Sequence, residues 1–77
     1  ESEVDEIFGQ GDNDTLLGNG GDDLIAGGTG DDSINGGDGN DELHGDAGDD
    51  TIDGGAGNDT IHPGNGIDIV DAGPGDD

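Results

Sequence analysis

Asp5, Asp14, Asp23, Asp32, Asp41, Asp50, Asp59, Asp68 and Asp77 stand nine residues apart from one end of the chain to the other, without a miss. A carboxylate is a hard oxygen ligand, and a regular series of them could hold a series of calcium ions. The chain of 77 residues sets 22 Asp and Glu against no Lys or Arg, for a formal net charge of -22. No carboxylate therefore has a Lys or Arg partner, and intramolecular salt bridges are not expected. Neutralisation must come from bound cations.

The same balance excludes other chemistries. So acidic a surface repels nucleic acid and anionic membranes. No apolar run is long enough to cross a bilayer as a helix, so no membrane insertion is expected of this segment. Cysteine is absent, which rules out disulfides and Cys-type zinc sites. Ser2 and Ser33 have no evident base partner, so nucleophilic catalysis has no support and the chain does not read as an enzyme. Asp12-Asn13-Asp14 opens like an EF-hand loop, but Leu17 stands where that loop needs glycine. Gly18-Asn19-Gly20-Gly21 lacks the lysine of a phosphate-binding loop. His44 and His62 hold the same position two units apart and read as a solvated ladder on one outer face. A transition-metal site there lacks an evident third ligand.

The elements that position the carboxylates follow from the same period. Gly27-Gly28-Thr29-Gly30-Asp31-Asp32-Ser33-Ile34-Asn35 is one complete unit, with Asp at position six and an aliphatic residue at position eight. Ile7, Leu16, Ile25, Ile34, Leu43, Ile52, Ile61 and Val70 hold that eighth position. Glycines at positions one, two and four allow a tight turn, and position five is mostly Asn or Asp. Positions seven to nine alternate as a short strand with one side chain inward. A lone three-residue strand is unstable, so strands must pair. If two units make one coil, every second strand stacks in parallel on the same side and two aliphatic rows face each other. Stacked turns then lie about 4.8 Å apart, close enough to share a cation whose oxygen ligands stand at about 2.3–2.6 Å. Tandem repetition of one unit is the mark of a solenoid.

The unit Gly-Gly-x-Gly-x-Asp-x-aliphatic-x resembles the calcium-binding nonapeptide of RTX (repeats-in-toxin) proteins, over essentially the whole chain. The resemblance implies an all-β fold: a right-handed parallel β-roll solenoid with two short parallel sheets and two nonapeptides, or eighteen residues, per coil. Residues 1–77 are expected to form a single array. In that family a calcium ion takes carbonyls of positions two and four plus the Asp of one turn. The next coil's turn adds carbonyls of positions one and three plus its Asp. Carried over, Gly28, Gly30 and Asp32 meet Gly45, Ala47 and Asp50; Gly37, Gly39 and Asp41 meet Gly54, Ala56 and Asp59. Asn19, Gly21 and Asp23 meet Gly36, Asp38 and Asp41, while Gln10, Asp12 and Asp14 meet Gly27, Thr29 and Asp32, with Asp12 in a glycine slot. Asp46, Gly48 and Asp50 meet Pro63, Asn65 and Asp68; Gly55, Gly57 and Asp59 meet Ala72, Pro74 and Asp77. Glu1, Glu3 and Asp5 with Gly18, Gly20 and Asp23 match the pattern least well. The resemblance implies about five to seven Ca2+ ions.

With aliphatic burial confined to one residue in nine and 20 glycines to order, the chain should not fold without calcium. The reading is a structural calcium-binding module that folds on Ca2+ binding, within a secreted or cell-surface bacterial toxin, extracellular enzyme, surface-layer protein or adhesin. The alternative is a calcium-loaded acidic surface that binds a protein or mineral. The chain starts partway through a unit and neither end has a cap, so flanking domains or further repeats of a longer parent are expected as partners.

Overall fold

The computed structural model describes residues 6–75. Eight strands of three residues follow one another: β1 (Glu6–Phe8), β2 (Thr15–Leu17), β3 (Leu24–Ala26), β4 (Ser33–Asn35), β5 (Glu42–His44), β6 (Thr51–Asp53), β7 (Thr60–His62) and β8 (Ile69–Asp71). Each occupies positions seven to nine of its unit, where Thr, Ser and aliphatic residues suit an extended backbone. The described residues contain no helix.

Odd strands form one parallel sheet in the order β1-β3-β5-β7, and even strands form the other in the order β2-β4-β6-β8. Every pairing joins the same positions of units two apart, as in Ile25↔Leu43 and Ile34↔Ile52. Two units thus make one coil. The backbone ladder continues past the strand ends: the Ser33 N–H donates to the Asp14 carbonyl, and the Gly18 N–H donates to the Asn35 carbonyl, both at 2.8 Å.

Leu16, Ile25, Ile34, Leu43 and Ile52 are buried between the sheets, and Ile7 and Ile61 pack against them partly buried. Each fully buried side chain contributes on the order of 2 kcal/mol. Val70 continues the expected row as the register partner of Ile52 but is 42% exposed. Its strand, β8, pairs with β6 alone among the described residues.

The turns use left-handed backbone at positions two and four. Gly28 and Gly30 have φ of 81° and 99°, and their counterparts along the chain follow suit. Asp12, in a glycine slot, keeps the shape with φ of 70°. Gln10, Asn19 and Asp46 do the same at position two, with φ of 65–69°. Asn and Asp tolerate this region better than most residues.

Candidate metal centre

At the turns the repeated aspartates become buried. Asp23, Asp32, Asp41, Asp50 and Asp59 are each 1–3% exposed, an unusual place for carboxylates. The two oxygens of each carboxylate differ in role. One Oδ1 accepts a backbone N–H from the coil before it: Asp32 from Asp14, Asp41 from Asp23 and Asp50 from Asp32, all at 2.8 Å. Asp59 accepts from Asp41 at 2.9 Å, and Asp68 from Asp50 at 2.7 Å. The carboxylate ladder therefore clamps each coil to the preceding one.

The other oxygen has a different fate. Oδ2 of Asp14, Asp32, Asp41 and Asp50 is buried without a hydrogen-bond partner. A buried polar atom left unsatisfied is costly, and a charged one more so. Each such oxygen lies against the position-one residue of its own unit and the position-one carbonyl of the next coil. A Cβ placed on Gly36 would sit 2.7 Å from Asp41 Oδ2 and 2.8 Å from the Gly54 carbonyl oxygen. On Gly27 it would meet Asp32 Oδ2 at 2.6 Å and the Gly45 carbonyl at 3.1 Å, and on Gly45 it would meet Asp50 Oδ2 at 2.7 Å and the Pro63 carbonyl at 2.5 Å. Gly9 and Gly18 likewise bring Asp14 to Gly27 and Asp23 to Gly36, and Gly54 brings Asp59 to Ala72. The missing side chain at position one makes room for a cradle of oxygens from two coils. Oxygen donors of this kind, with no nitrogen or sulfur among them, suit calcium.

Carbonyls of positions two and four approach the same inter-coil gap. Those of Gln10 and Asp12 face the α-carbons of Gly28 and Gly30, so a side chain at either glycine would collide with them. The relation recurs for Asn19 with Gly37, Gly21 with Gly39, Gly30 with Gly48, Gly37 with Gly55, Gly39 with Gly57 and Gly48 with Gly66. The Asp46 carbonyl stands in the same relation to Gly64, and its carboxylate Oδ2 also accepts the Gly28 N–H at 3.3 Å. Position-three residues Thr29, Asp38, Ala47, Ala56, Asn65 and Pro74 are exposed on the turns. Two of them contact the preceding coil's position-two carbonyl: the Asp38 N–H donates to Asn19 at 2.7 Å, and the Thr29 hydroxyl to Gln10 at 3.5 Å. Their own carbonyls are not brought to the cradle by any of these contacts. Glu1, Glu3, Asp5 and Asp77 lie outside the described residues.

Burial and crowding raise the affinity of Asp41 and Asp50 for protons. Asp41 is pushed from its ordinary value of 3.8 to about 6, chiefly by burial. The Asp23 backbone hydrogen bond opposes the rise, and the Asp59 and Asp23 carboxylates add to it. Asp50 is raised for the same reason, burial first, with Asp32, Asp68 and Asp31 as the nearby charges. A divalent cation would reverse both effects, by screening the repulsion and by taking up the unsatisfied oxygen.

Some functional side chains are not singled out by the glycine–aspartate pattern. Position five forms a second ladder running the other way: Asn13 Oδ1 accepts from the Asp31 N–H at 2.8 Å, and Asp31 from Asp49 at 2.9 Å. On the opposite edge, Asp22 accepts from Asn40 and Asn40 from Asn58, both at 2.8 Å. The preference for Asn or Asp at that position was the available signal. Asn35, Asp53 and Asp71 are exposed and accept the N–H two residues on, from Gly37, Gly55 and Gly73 at 3.0–3.1 Å. The expectation of no intramolecular ion pair needs correction: His44 Nε2 and Glu42 Oε2 are 2.8 Å apart, a salt bridge whenever the imidazole is protonated.

Fold and cradle together define a parallel β-solenoid built from calcium-binding turns. The family model of the RTX calcium-binding nonapeptide repeat matches in four copies, at residues 2–34, 26–61, 35–70 and 62–77. The chain belongs to that family of repeats and is a structural calcium-binding module. No curated protein and no solved structure matches it.

Proposed function

We propose that the chain is a calcium-triggered folding module of an exported bacterial protein, unfolded where calcium is scarce and folded outside the cell. The supporting observation is the row of buried Oδ2 atoms without hydrogen-bond partners, at Asp14, Asp32, Asp41 and Asp50, in a chain that has no Lys or Arg. Each ion sits between stacked turns of adjacent coils, with Asp32 and the Gly45 carbonyl as one such pair and Asp41 and the Gly54 carbonyl as another. Position-two and position-four carbonyls, such as those of Gly28, Gly30, Gly37 and Gly39, complete the sets from below. Position-three carbonyls and the next Asp complete them from above. About five to seven ions bind along the array.

Mass action makes the switch steep. A site whose dissociation constant lies tenfold below ambient calcium adds roughly 1.4 kcal/mol to the folded state. Several such sites acting on one cooperative solenoid multiply the effect. The module lends rigidity to its parent, which is a toxin, an extracellular enzyme, a surface-layer protein or an adhesin, with further repeats or domains on its flanks. The test is circular dichroism and metal analysis of the chain in chelator and in millimolar calcium. Equal β content in both conditions, or fewer than four ions per folded chain, would overturn the reading.

A further inference from the structure

The outer face of the odd-strand sheet gathers a different set of ligands. His44 of β5 and His62 of β7 are register partners on adjacent parallel strands, so their side chains leave the same face one strand spacing apart. Their rings stack with centroids 4.7 Å apart and planes 10° from parallel. Glu42 precedes His44 by two residues on β5 and therefore shares its face, and its Oε2 lies 2.8 Å from His44 Nε2. One ligand atom from each of Glu42, His44 and His62 falls within 4.8 Å of the others. These are the only two histidines of the chain, so its whole capacity for nitrogen ligation is concentrated here.

We propose that His44, His62 and Glu42 form a surface site for a borderline divalent metal of the zinc class, separate from the calcium-binding turns. Two imidazoles and a carboxylate are a poor donor set for calcium, which takes oxygen ligands, and a good one for zinc. Zinc bonds of about 2.0–2.2 Å place tetrahedral ligands about 3.3–3.6 Å apart. The imidazoles must tilt together and the carboxylate must swing slightly away from His44, both through side-chain rotation alone. Room for this exists, since the His44 and Glu42 side chains are 29% and 55% exposed. The fourth position opens to water. No Lys or Arg competes for the carboxylate, and the net charge of -22 draws divalent cations to the surface. A metal here would tie β7 to β5.

The test is calorimetric titration of the whole chain with zinc, calcium being held in excess so that the aspartate sites are filled. One zinc per chain is expected, and the imidazole resonances of both histidines should shift or broaden within the first equivalent. His62→Ala and His44→Ala should weaken zinc at least about tenfold, because even outer-shell partners of a metal cost on the order of 10–100-fold. Glu42→Gln should weaken it less, with circular dichroism and calcium stoichiometry unchanged. Imidazole resonances of the parent chain that ignore one equivalent of zinc would overturn the proposal. So would undiminished zinc affinity in a folded chain lacking both histidines.

Discussion

Asp32 and Asp50 are joined by one hydrogen bond and share a double role: Asp50 Oδ1 accepts the Asp32 N–H at 2.8 Å, while Oδ2 of both residues is buried with no hydrogen-bond partner. The same residue type at the same position of the repeat thus does two things at once. One oxygen fastens coil to coil through the backbone, and the other faces the position-one carbonyl of the next coil. Coil stacking and cation binding are carried by the two oxygens of a single carboxylate.

Substitution of Asp41 separates the two roles. Asp41→Asn keeps an oxygen for the Asp23 N–H, bonded at 2.8 Å, and removes the buried charge. The calcium-free chain should be no less folded than the parent, since removing an unpaired buried charge is neutral or favourable. With calcium, at least one ion per chain should be lost and the folding midpoint should move to higher calcium. Asp41→Ala should be worse in both states, having lost the acceptor as well. Calcium titrations followed by circular dichroism, with ion counting, distinguish the three chains.

Filling the cradle without touching the carboxylate is a second route. Gly36 lies outside the positive-φ region, so Gly36→Ala adds no backbone strain of that kind. Its Cβ would still press on Asp41 Oδ2 at 2.7 Å and the Gly54 carbonyl at 2.8 Å. The substitution should cost about 1–3 kcal/mol of calcium-dependent stability, comparable to overpacking a core. Gly11→Ala, where a Cβ meets only Thr29 Oγ1 at 3.7 Å, should stay within about 0.5 kcal/mol of the parent. Urea melts at fixed calcium report both, and equal costs for the two would contradict the cradle.

Much of this arrangement is legible in the chain because the period is strict and the unit short. The regular recurrence of an aliphatic residue two places after each Asp sets strand positions and register. The turn glycines likewise mark positive φ at positions such as Gly28 and Gly30. What the period leaves open depends on side-chain direction. It does not reveal that Asp32 splits its oxygens between two coils, or that Asn13 and Asp31 form a counter-running ladder. Nor does it bring Glu42 to the histidines, because that residue holds a position filled elsewhere by Leu24 and Thr60. The exposure of Val70 is left open too, because repeat position does not say how deeply a side chain is covered.

The position-five ladder should be measurable residue by residue. Asn40→Ala removes the acceptor for the Asn58 N–H, bonded at 2.8 Å, while leaving Asn40's own N–H on Asp22. The cost should be about 1 kcal/mol, that of one hydrogen bond at an exposed site. Amide exchange at residue 58 should accelerate in the calcium-loaded chain with the ion count unchanged. Loss of calcium along with the hydrogen bond would mean that position five belongs to the metal site.

Protons and calcium should compete, with a sign set by Asp41. Its pKa in the fold is about 6, against 3.8 ordinarily, so the folded chain holds this proton more tightly than the unfolded one. Protonation of Asp41 therefore stabilises the calcium-free fold most fully below about 3.8, and that contribution is lost as the pH rises through about 6. Calcium requires the ionised carboxylate and must displace any proton it finds there. A chain already folded before calcium arrives should release this proton on binding between about pH 4 and pH 6, whereas one unfolded until calcium binds, its Asp41 ionised above about 3.8, should release little there. Asp50, raised in the same direction, adds to the release from the folded chain. Calcium titrations at about pH 5 and pH 7, with proton release followed by pH-stat, distinguish the two cases. In Asp41→Asn any such release should shrink, and a release identical to the parent's would show that other carboxylates carry the linkage.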